Sequence, residues 1–248
     1  MNIITIDGPA AAGKGTIALS LSHLINFYYF NTGNIFRYIA KTIIDEGLMY
    51  EFLINKNHFN LNKINQNVVF LKEIPDLVEK SILIDEKLLR TQEISDSSSI
   101  IAEIPQVREI LNKAMRKFIY DMLGSNKVVG CIVDGRDTGS VLFPNAGCKI
   151  FITAERSVRT QRRFEQIRST FTEDFQEEIK KKRVHDSLVL RDSRDGSRKR
   201  DPMIIVKDTI VIDTSKISQE ETIEQILAII RIKLPDLSKD YRKTVNFI

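Results

Sequence analysis

The chain has 248 residues, 42% of them hydrophobic and 28% charged, with a net charge of +4 and a pI near 8.9. This is the balance of a soluble globular protein with one large core, or a core plus small insertions, and no run of about 18 apolar residues is present to span a membrane. No basic segment or cleavage site precedes the first apolar run, so a secretory signal is not expected and a cytoplasmic location is.

In chain order, Ile3-Ile4-Thr5-Ile6 reads as a first strand. Gly8-Pro9-Ala10-Ala11-Ala12-Gly13-Lys14-Gly15-Thr16 follows and fits G-x-x-x-x-G-K, with the hydroxyl residue one place later than in the commonest form. An amphipathic helix then begins, with Ile17, Leu21, Leu24 and Ile25 expected on its inner side. Strand, glycine loop and helix together make a phosphate-binding loop. Its glycines let backbone N–H groups turn inward, the helix N-terminus adds positive potential, Lys14 reaches the terminal phosphates and Thr16 is placed to ligate Mg²⁺.

Phe27–Phe30 reads as a second strand, and a helix is expected from near Asn34 past Ile44 to Gly47. Between about Asn60 and Ile104 the pattern changes. Asn67–Leu71, Ser81–Ile84 and Lys87–Leu89 read as short antiparallel strands, with Asp85-Glu86 as a hairpin tip, and so as a small inserted β subdomain. Val128–Val133, Lys149–Ile152 and Thr209–Ile212 read as further strands, several of them continuously apolar, as parallel strands covered on both faces are. Residues 155–190 read as charged helices. Polar residues over Asp192–Asp201 break that pattern ahead of Pro202. A final helix over Ser218–Leu234 is expected to turn Ile223, Ile226, Leu227 and Ile230 inward. Strands alternating with helices predict a three-layer α/β fold around a central parallel five-stranded sheet.

Cys131 and Cys148 lie in apolar stretches. Two packed thiols are favoured over a single buried disulfide, and two cysteines are too few for a zinc site. His23, His58 and His185 are far apart in sequence and read as surface or satisfied structural residues. Arginines cluster in two segments: Arg156, Arg159, Arg162, Arg163 and Arg168, then Arg191, Arg194, Arg198, Lys199 and Arg200. Few aromatics interleave with them, which argues against a base-stacking platform. Each run reads as a solvated helix face or as a phosphate clamp, and the glycine loop favours the clamp reading for the second.

Further landmarks narrow the reading. Asn31-Thr32-Gly33-Asn34-Ile35-Phe36-Arg37 follows the second strand. Arg90-Thr91-Gln92-Glu93 and Pro105-Gln106-Val107-Arg108 flank the end of the insertion. Asp134-Gly135-Arg136-Asp137-Thr138-Gly139 ends the third strand, ahead of Val141-Leu142-Phe143-Pro144, and Arg191-Asp192-x-Arg194-Asp195-x-x-Arg198 comes late. From Ile3 to about Leu234 this ordered set resembles the bacterial cytidylate kinases, the CMP/dCMP kinases of the nucleoside monophosphate kinase group.

The resemblance implies a P-loop kinase fold, with its core in 1–59 and 105–234, an inserted NMP-binding β subdomain in 60–104, a lid at about 186–203 and a C-terminal tail in 235–248. It implies ATP and Mg²⁺ as cofactors and CMP or dCMP as substrate. A monomer without nucleic-acid or membrane partners is expected. Gly8 through Thr16 would hold the ATP phosphates, and Thr16 and Asp134 the metal ion. Lys14, Arg136, Arg194 and Arg198 form the implied catalytic set, Arg194 as a lid arginine meeting ATP phosphates. Thr32, Arg37, Arg136 and Arg198 match positions around the acceptor phosphate. Ser99, Arg108 and Asp137 match positions that read cytosine, and Arg191 and Asp195 match positions near the ribose. A carboxylate accepts from the cytosine N4 amino group, whereas uracil presents an acceptor there, a mismatch of about 1–3 kcal/mol.

Two departures from the family pattern stand out. Asn31 occupies a position where Asp is frequent, and Asp201 one that is usually Ala. Competing readings are a kinase for UMP or AMP, a GTPase-like switch and a nucleotide-dependent nucleic-acid binder. The four Asn-Lys pairs, at 55, 62, 112 and 126, never continue as the guanine-reading Asn-Lys-x-Asp.

Overall fold

The computed structural model describes residues 2–47, 74–168 and 176–235. These separate into two compact units: the described parts of 1–31, 122–159 and 203–248, and those of 32–121 and 160–202.

The first unit is built on a five-stranded parallel sheet of spatial order β2-β3-β1-β4-β5. Its strands are β1 (Ile3–Asp7), β2 (Tyr28–Asn31), β3 (Cys131–Asp134), β4 (Cys148–Thr153) and β5 (Ile210–Asp213). All five coincide with runs expected to be strands. β1 is central and buried throughout, with Ile4 opposite Ile132 on one side and Cys148 on the other. The chain leaves β1 for β2 and β3 on one side and reaches β4 and β5 on the other. In such sheets ligands dock at the carboxyl edge.

One core cluster joins Ile4, Ile6, Ile132, Ile150 and Ile152 of the sheet to α1 (Lys14–Ile25) and to the C-terminal helix. Leu24, expected to face inward, is 47% exposed. Lys14, Ile17, Ala18, Leu21, Ser22 and Ile25 define the buried arc of α1, and at about 100° per residue Leu24 falls just beyond its rim. Cys131 and Cys148 are buried free thiols, which burial pushes up to about 12 and about 11, so neither is a nucleophile at neutral pH.

The regular elements of the second unit, among the described residues, are all helices. In chain order they are α2 (Thr32–Asp45), α3 (Ile74–Leu83), a 3-10 turn (Glu86–Leu89), α4 (Gln92–Ile101), α5 (Pro105–Gly124), α6 (Arg156–Ile167) and α7 (Glu177–Ser197). The last turn of α5 and the first of α6 belong to the first unit. α2 ends before Gly47 as expected, and it packs against α3, α4 and the 3-10 turn.

The expected β character of 60–104 is overturned wherever the structure describes it. Ser81–Ile84 spans the end of α3, and Lys87–Leu89 lies in the 3-10 turn, which Asp85 caps by accepting from Lys87 N at 2.9 Å. Val78 and Ser81 are both buried, a helical spacing rather than the alternation of a strand. Asn67–Leu71 lies outside the described residues, as does His58. A second correction concerns Asp192–Ser197, expected to interrupt the helical pattern. α7 continues through it, because Val184, Leu188 and Asp195 keep one buried face at helical spacing. Of the tail, only Pro235 is described.

The chain closes its described part with α8 (Gln219–Lys233), in the first unit. Ser218 and Glu221 form a reciprocal capping box at its start. Ile226 and Ile230 are buried in the core cluster, with Ile223 and Leu227 packed at its border. No helix among the described residues is long and apolar enough to cross a membrane.

Candidate active site

In the first unit, β1 delivers the chain into the glycine loop at Gly8, whose φ is +143°. A Cβ there would lie 1.9 Å from the Ile152 carbonyl oxygen of β4, so only glycine passes. Ala11 at φ +60° and Gly13 at φ +95° add further left-handed turns, the alternation that gathers backbone N–H groups into an anion-binding concavity. The loop is braced from its carbonyl side. Arg159 Nη1 donates to Ala10 O at 3.1 Å while its Nε donates to Ala154 O at 3.0 Å, and Thr214 Oγ1 donates to Ala12 O at 3.2 Å. Arg159 is 6% exposed and is no part of a solvated helix face. Lys14 is buried, and its ammonium donates to Pro9 O at 2.8 Å, within the loop it closes. Thr16 is exposed in the first turn of α1.

Asp134 ends β3, next to this loop. Tyr29 Oη donates to Asp134 Oδ2 at 3.2 Å and accepts from Asn31 Nδ2 at 3.0 Å. Asn31 thus commits the tyrosine proton to Asp134; an Asp at that position would compete for it. Gly15 is the residue inserted between Lys14 and Thr16. A Cβ on it would stand 3.2 Å from Tyr29 Oη and 3.3 Å from Asp134 Oδ2. The glycine therefore keeps the carboxylate side of the loop open.

Asp7, the last residue of β1, is buried and accepts three hydrogen bonds from the turn after β3. Thr138 N and Thr138 Oγ1 each donate to Oδ1 at 2.8 Å, and Gly139 N donates to Oδ2 at 2.7 Å. Burial pushes its carboxyl up to about 6, against the lowering effect of those donors. The anchored segment is a five-residue π turn, Thr138–Leu142, flanked by Arg136 and Asp137. Both are half-buried, and Arg136 Nη1 donates to Gly135 O at 3.0 Å.

In the second unit, Thr32 is the buried first residue of α2, and Arg37 lies about one turn further along. Arg37 Nη1 donates to Asn34 Oδ1 at 3.1 Å, and Asn34 Nδ2 donates to Glu86 Oε1 at 2.7 Å. Glu86 also pairs with Arg90. Burial raises the Glu86 carboxyl, but hydrogen bonds from Asn34 and Arg90 and the charges of Arg90 and Arg37 together hold it below its usual value.

On α7, Asp195 is 3% exposed and lies between two arginines, with Arg191 Nε at 4.0 Å and Arg198 Nη1 at 3.6 Å. Arg194 is half-buried one turn from them. Arg163 of α6 donates from Nη2 to Ser95 Oγ at 2.7 Å and to Arg90 O at 3.3 Å. Burial and then the charges of Arg191 and Arg90 bring its guanidinium down to about 10. Arg163, Arg191 and Arg90 therefore lie within electrostatic reach of one another, with Asp96 offsetting part of their charge.

Ser99 on α4 is 3% exposed, and its hydroxyl has no hydrogen-bond partner among the described residues. Arg108 on α5 is 2% exposed, beneath the Phe36 ring at 5.7 Å.

The structure thus places Gly8–Thr16, Asp134, Arg136 and Asp137 in the first unit, and Thr32, Arg37, Ser99, Arg108, Arg191, Arg194, Asp195 and Arg198 in the second. Sequence reasoning passed over Asp7 and Tyr29, and it read Glu86 only as part of a hairpin tip and Arg163 only as one of a run of arginines. Asp7 carried a signal, a charged residue ending an otherwise apolar strand. For Glu86 and Arg163 the chain showed only charge, because their bonds to Asn34 and to Ser95 join residues distant in sequence.

A family model described as cytidylate kinase matches residues 4–232. The cytidylate kinase of Chlamydia caviae is 36% identical, with 94% of this chain and 100% of that protein covered. That of Shewanella sediminis is 34% identical, covering 95% and 97%, and that of Caldanaerobacter subterraneus is 34% identical, covering 92% and 94%. On a match of this extent, together with a five-stranded parallel sheet and its glycine loop, the chain belongs to the cytidylate kinase family.

Proposed function

We propose that this chain transfers the γ-phosphoryl group of ATP to CMP or dCMP, releasing ADP and CDP or dCDP, within pyrimidine nucleotide metabolism. The observation that carries the cytosine end is the buried Ser99 hydroxyl, which has no hydrogen-bond partner among the described residues, at a position that the family resemblance assigns to the base. A buried hydroxyl is costly to leave unbonded, and a ligand atom satisfies it.

The chemistry suits the residues. The acceptor phosphate has a second pKa near 6 and is already ionised at neutral pH, so no general base is required. What the reaction needs is positioning and positive charge. Lys14 and the loop N–H groups hold the donor phosphates. Arg37, Arg136 and Arg198 hold the acceptor phosphate through planar, bidentate contacts, and Arg194 adds charge during transfer. Arg191 and Asp195 hold the ribose. Ser99, Arg108 and Asp137 read the base.

Thr16 and Asp134 supply the hard oxygen donors suited to Mg²⁺, and the missing Cβ of Gly15 leaves room beside the Asp134 oxygen. The ion, when bound, neutralises phosphate charge. Residues of the segment 186–203 are read as a lid closing over the nucleotides, which excludes water from ATP. The protein is read as a monomer working on small nucleotides in the cytoplasm.

A coupled assay with CMP, dCMP, UMP and AMP tests the proposal. CMP and dCMP are expected to turn over at least about tenfold more efficiently than UMP. Equal or better turnover of AMP overturns the cytosine assignment.

A further inference from the structure

Arg108 is a long cation buried to 2% exposure, and such a charge is tolerated only with a partner. Its partner is Asp201. Arg108 Nε donates to Asp201 Oδ2 at 3.0 Å, and Asn112 Nδ2, one turn further along α5, donates to the same oxygen at 3.0 Å. Arg108 Nη1 lies 3.5 Å from Ala102 O, and the Phe36 ring covers the guanidinium. The carboxylate therefore fixes the rotation of the guanidinium plane from its Nε edge.

The backbone of Asp201 is itself unusual. Its φ is +54°, in the left-handed region that non-glycine residues rarely occupy and that Asp and Asn enter most readily. The residue is three positions beyond Arg198, in the segment that follows α7. A carboxylate on the strand of chain leaving the arginine helix is thus bonded to the arginine assigned to the base. Where the family pattern has Ala, no side chain reaches across in this way.

We propose that Asp201 is a positioning residue for cytosine selection: it orients Arg108 and ties it to the segment carrying Arg191, Arg194, Asp195 and Arg198. This rests on the reading of the chain as a CMP kinase. Asp201 bonds to Arg108 and Asn112, so on this proposal its effect reaches the nucleotide acceptor through Arg108 and leaves ATP alone. It is also confined to Arg108, and so vanishes when that arginine is absent.

The test is steady-state kinetics of Asp201→Ala, Asp201→Asn, Arg108→Met and the double variant, with CMP, UMP and ATP varied separately. Asp201→Ala is expected to raise KM for CMP roughly tenfold and to narrow the CMP-over-UMP preference, with KM for ATP changed less than about twofold. Asp201→Asn keeps an acceptor oxygen for Nε and recovers most of the loss. In the Arg108→Met background, Asp201→Ala adds nothing further. If Asp201→Ala does not fold, Asn112→Ala, which removes the other donor to the same oxygen, is expected to raise KM for CMP about two- to threefold with KM for ATP unchanged. An unchanged KM for CMP, equal losses for CMP and ATP, or full additivity with Arg108→Met overturns the proposal. A wild-type protein that prefers AMP or UMP overturns the cytosine reading itself; a CMP-selective wild type with an indifferent Asp201→Ala overturns only the role of Asp201.

Discussion

Asp7 Oδ1 accepts from both the backbone N–H and the hydroxyl of Thr138, each at 2.8 Å, across a separation of 131 residues in sequence. The contact runs from the last residue of the central strand, immediately ahead of the phosphate loop, to the turn that carries Arg136 and Asp137. One buried carboxyl thereby sets the spacing between the donor loop and two residues assigned to the acceptor.

The state of that carboxyl is expected to depend on pH. Burial raises its pKa from 3.8 to about 6, so across that interval the folded protein holds a proton that the unfolded chain has released. Stability contributed by this group is therefore fully present below 3.8 and is lost as pH rises to about 6. Carbon-13 NMR of the Asp7 carboxyl is expected to show the titration near 6. Asp7→Asn removes this pH dependence, and it also turns an amide donor toward Thr138 or Gly139, at a cost of about 1–3 kcal/mol measured by urea unfolding at neutral pH.

Gly15 is expected to be needed for metal use rather than for folding. Its substituted Cβ would meet Tyr29 Oη at 3.2 Å and Asp134 Oδ2 at 3.3 Å, contacts that small shifts absorb. Gly15→Ala should fold with near-normal stability yet need roughly tenfold more Mg²⁺ for half-maximal activity, because the displaced carboxylate is the one assigned to the ion. Gly8→Ala is the contrast. Its Cβ would lie 1.9 Å from a backbone oxygen of β4, and loss of the folded state is expected by circular dichroism.

Arg159 holds the outer side of the phosphate loop. Arg159→Met keeps much of the apolar stem but removes the donors to Ala10 O and Ala154 O. KM for ATP is expected to rise about five- to tenfold with KM for CMP unchanged. An equal rise in both would place Arg159 in general stability rather than in loop shape.

Ser99 offers a trade of stability against function. Its buried hydroxyl makes no hydrogen bond among the described residues, so Ser99→Ala should leave the melting temperature of the free protein unchanged or slightly raised. The same variant should raise KM for CMP about fivefold or more while leaving KM for ATP alone. Calorimetry and steady-state kinetics on one preparation check both halves.

The sheet was legible because parallel strands buried on both faces are written as continuous apolar runs, and Ile3–Ile6 or Lys149–Ile152 has no other plausible use. The phosphate loop was legible because its glycines, lysine and threonine are consecutive. The stretch around Ser81–Leu89 misled, since short apolar pairs between charged residues fit a strand or a helix equally well. Only the packing of α2 against α3 and α4 selects the helix. Arg159 misled for a related reason: a charged helix shows which residues are polar but not which one turns inward to meet two carbonyls.

By itself, then, the sequence determined the five strands, the glycine loop after the first of them and the family to which the chain belongs, because each rests on residues that are neighbours in the chain or at a fixed short period. Tertiary structure alone decided that Asp7 anchors the turn at Thr138, that Tyr29 and Asn31 hold Asp134, and that Asp201 engages Arg108. Those are pairings of buried and half-buried polar groups, and such a group is satisfied by whatever the fold brings within hydrogen-bond reach, which local sequence does not encode.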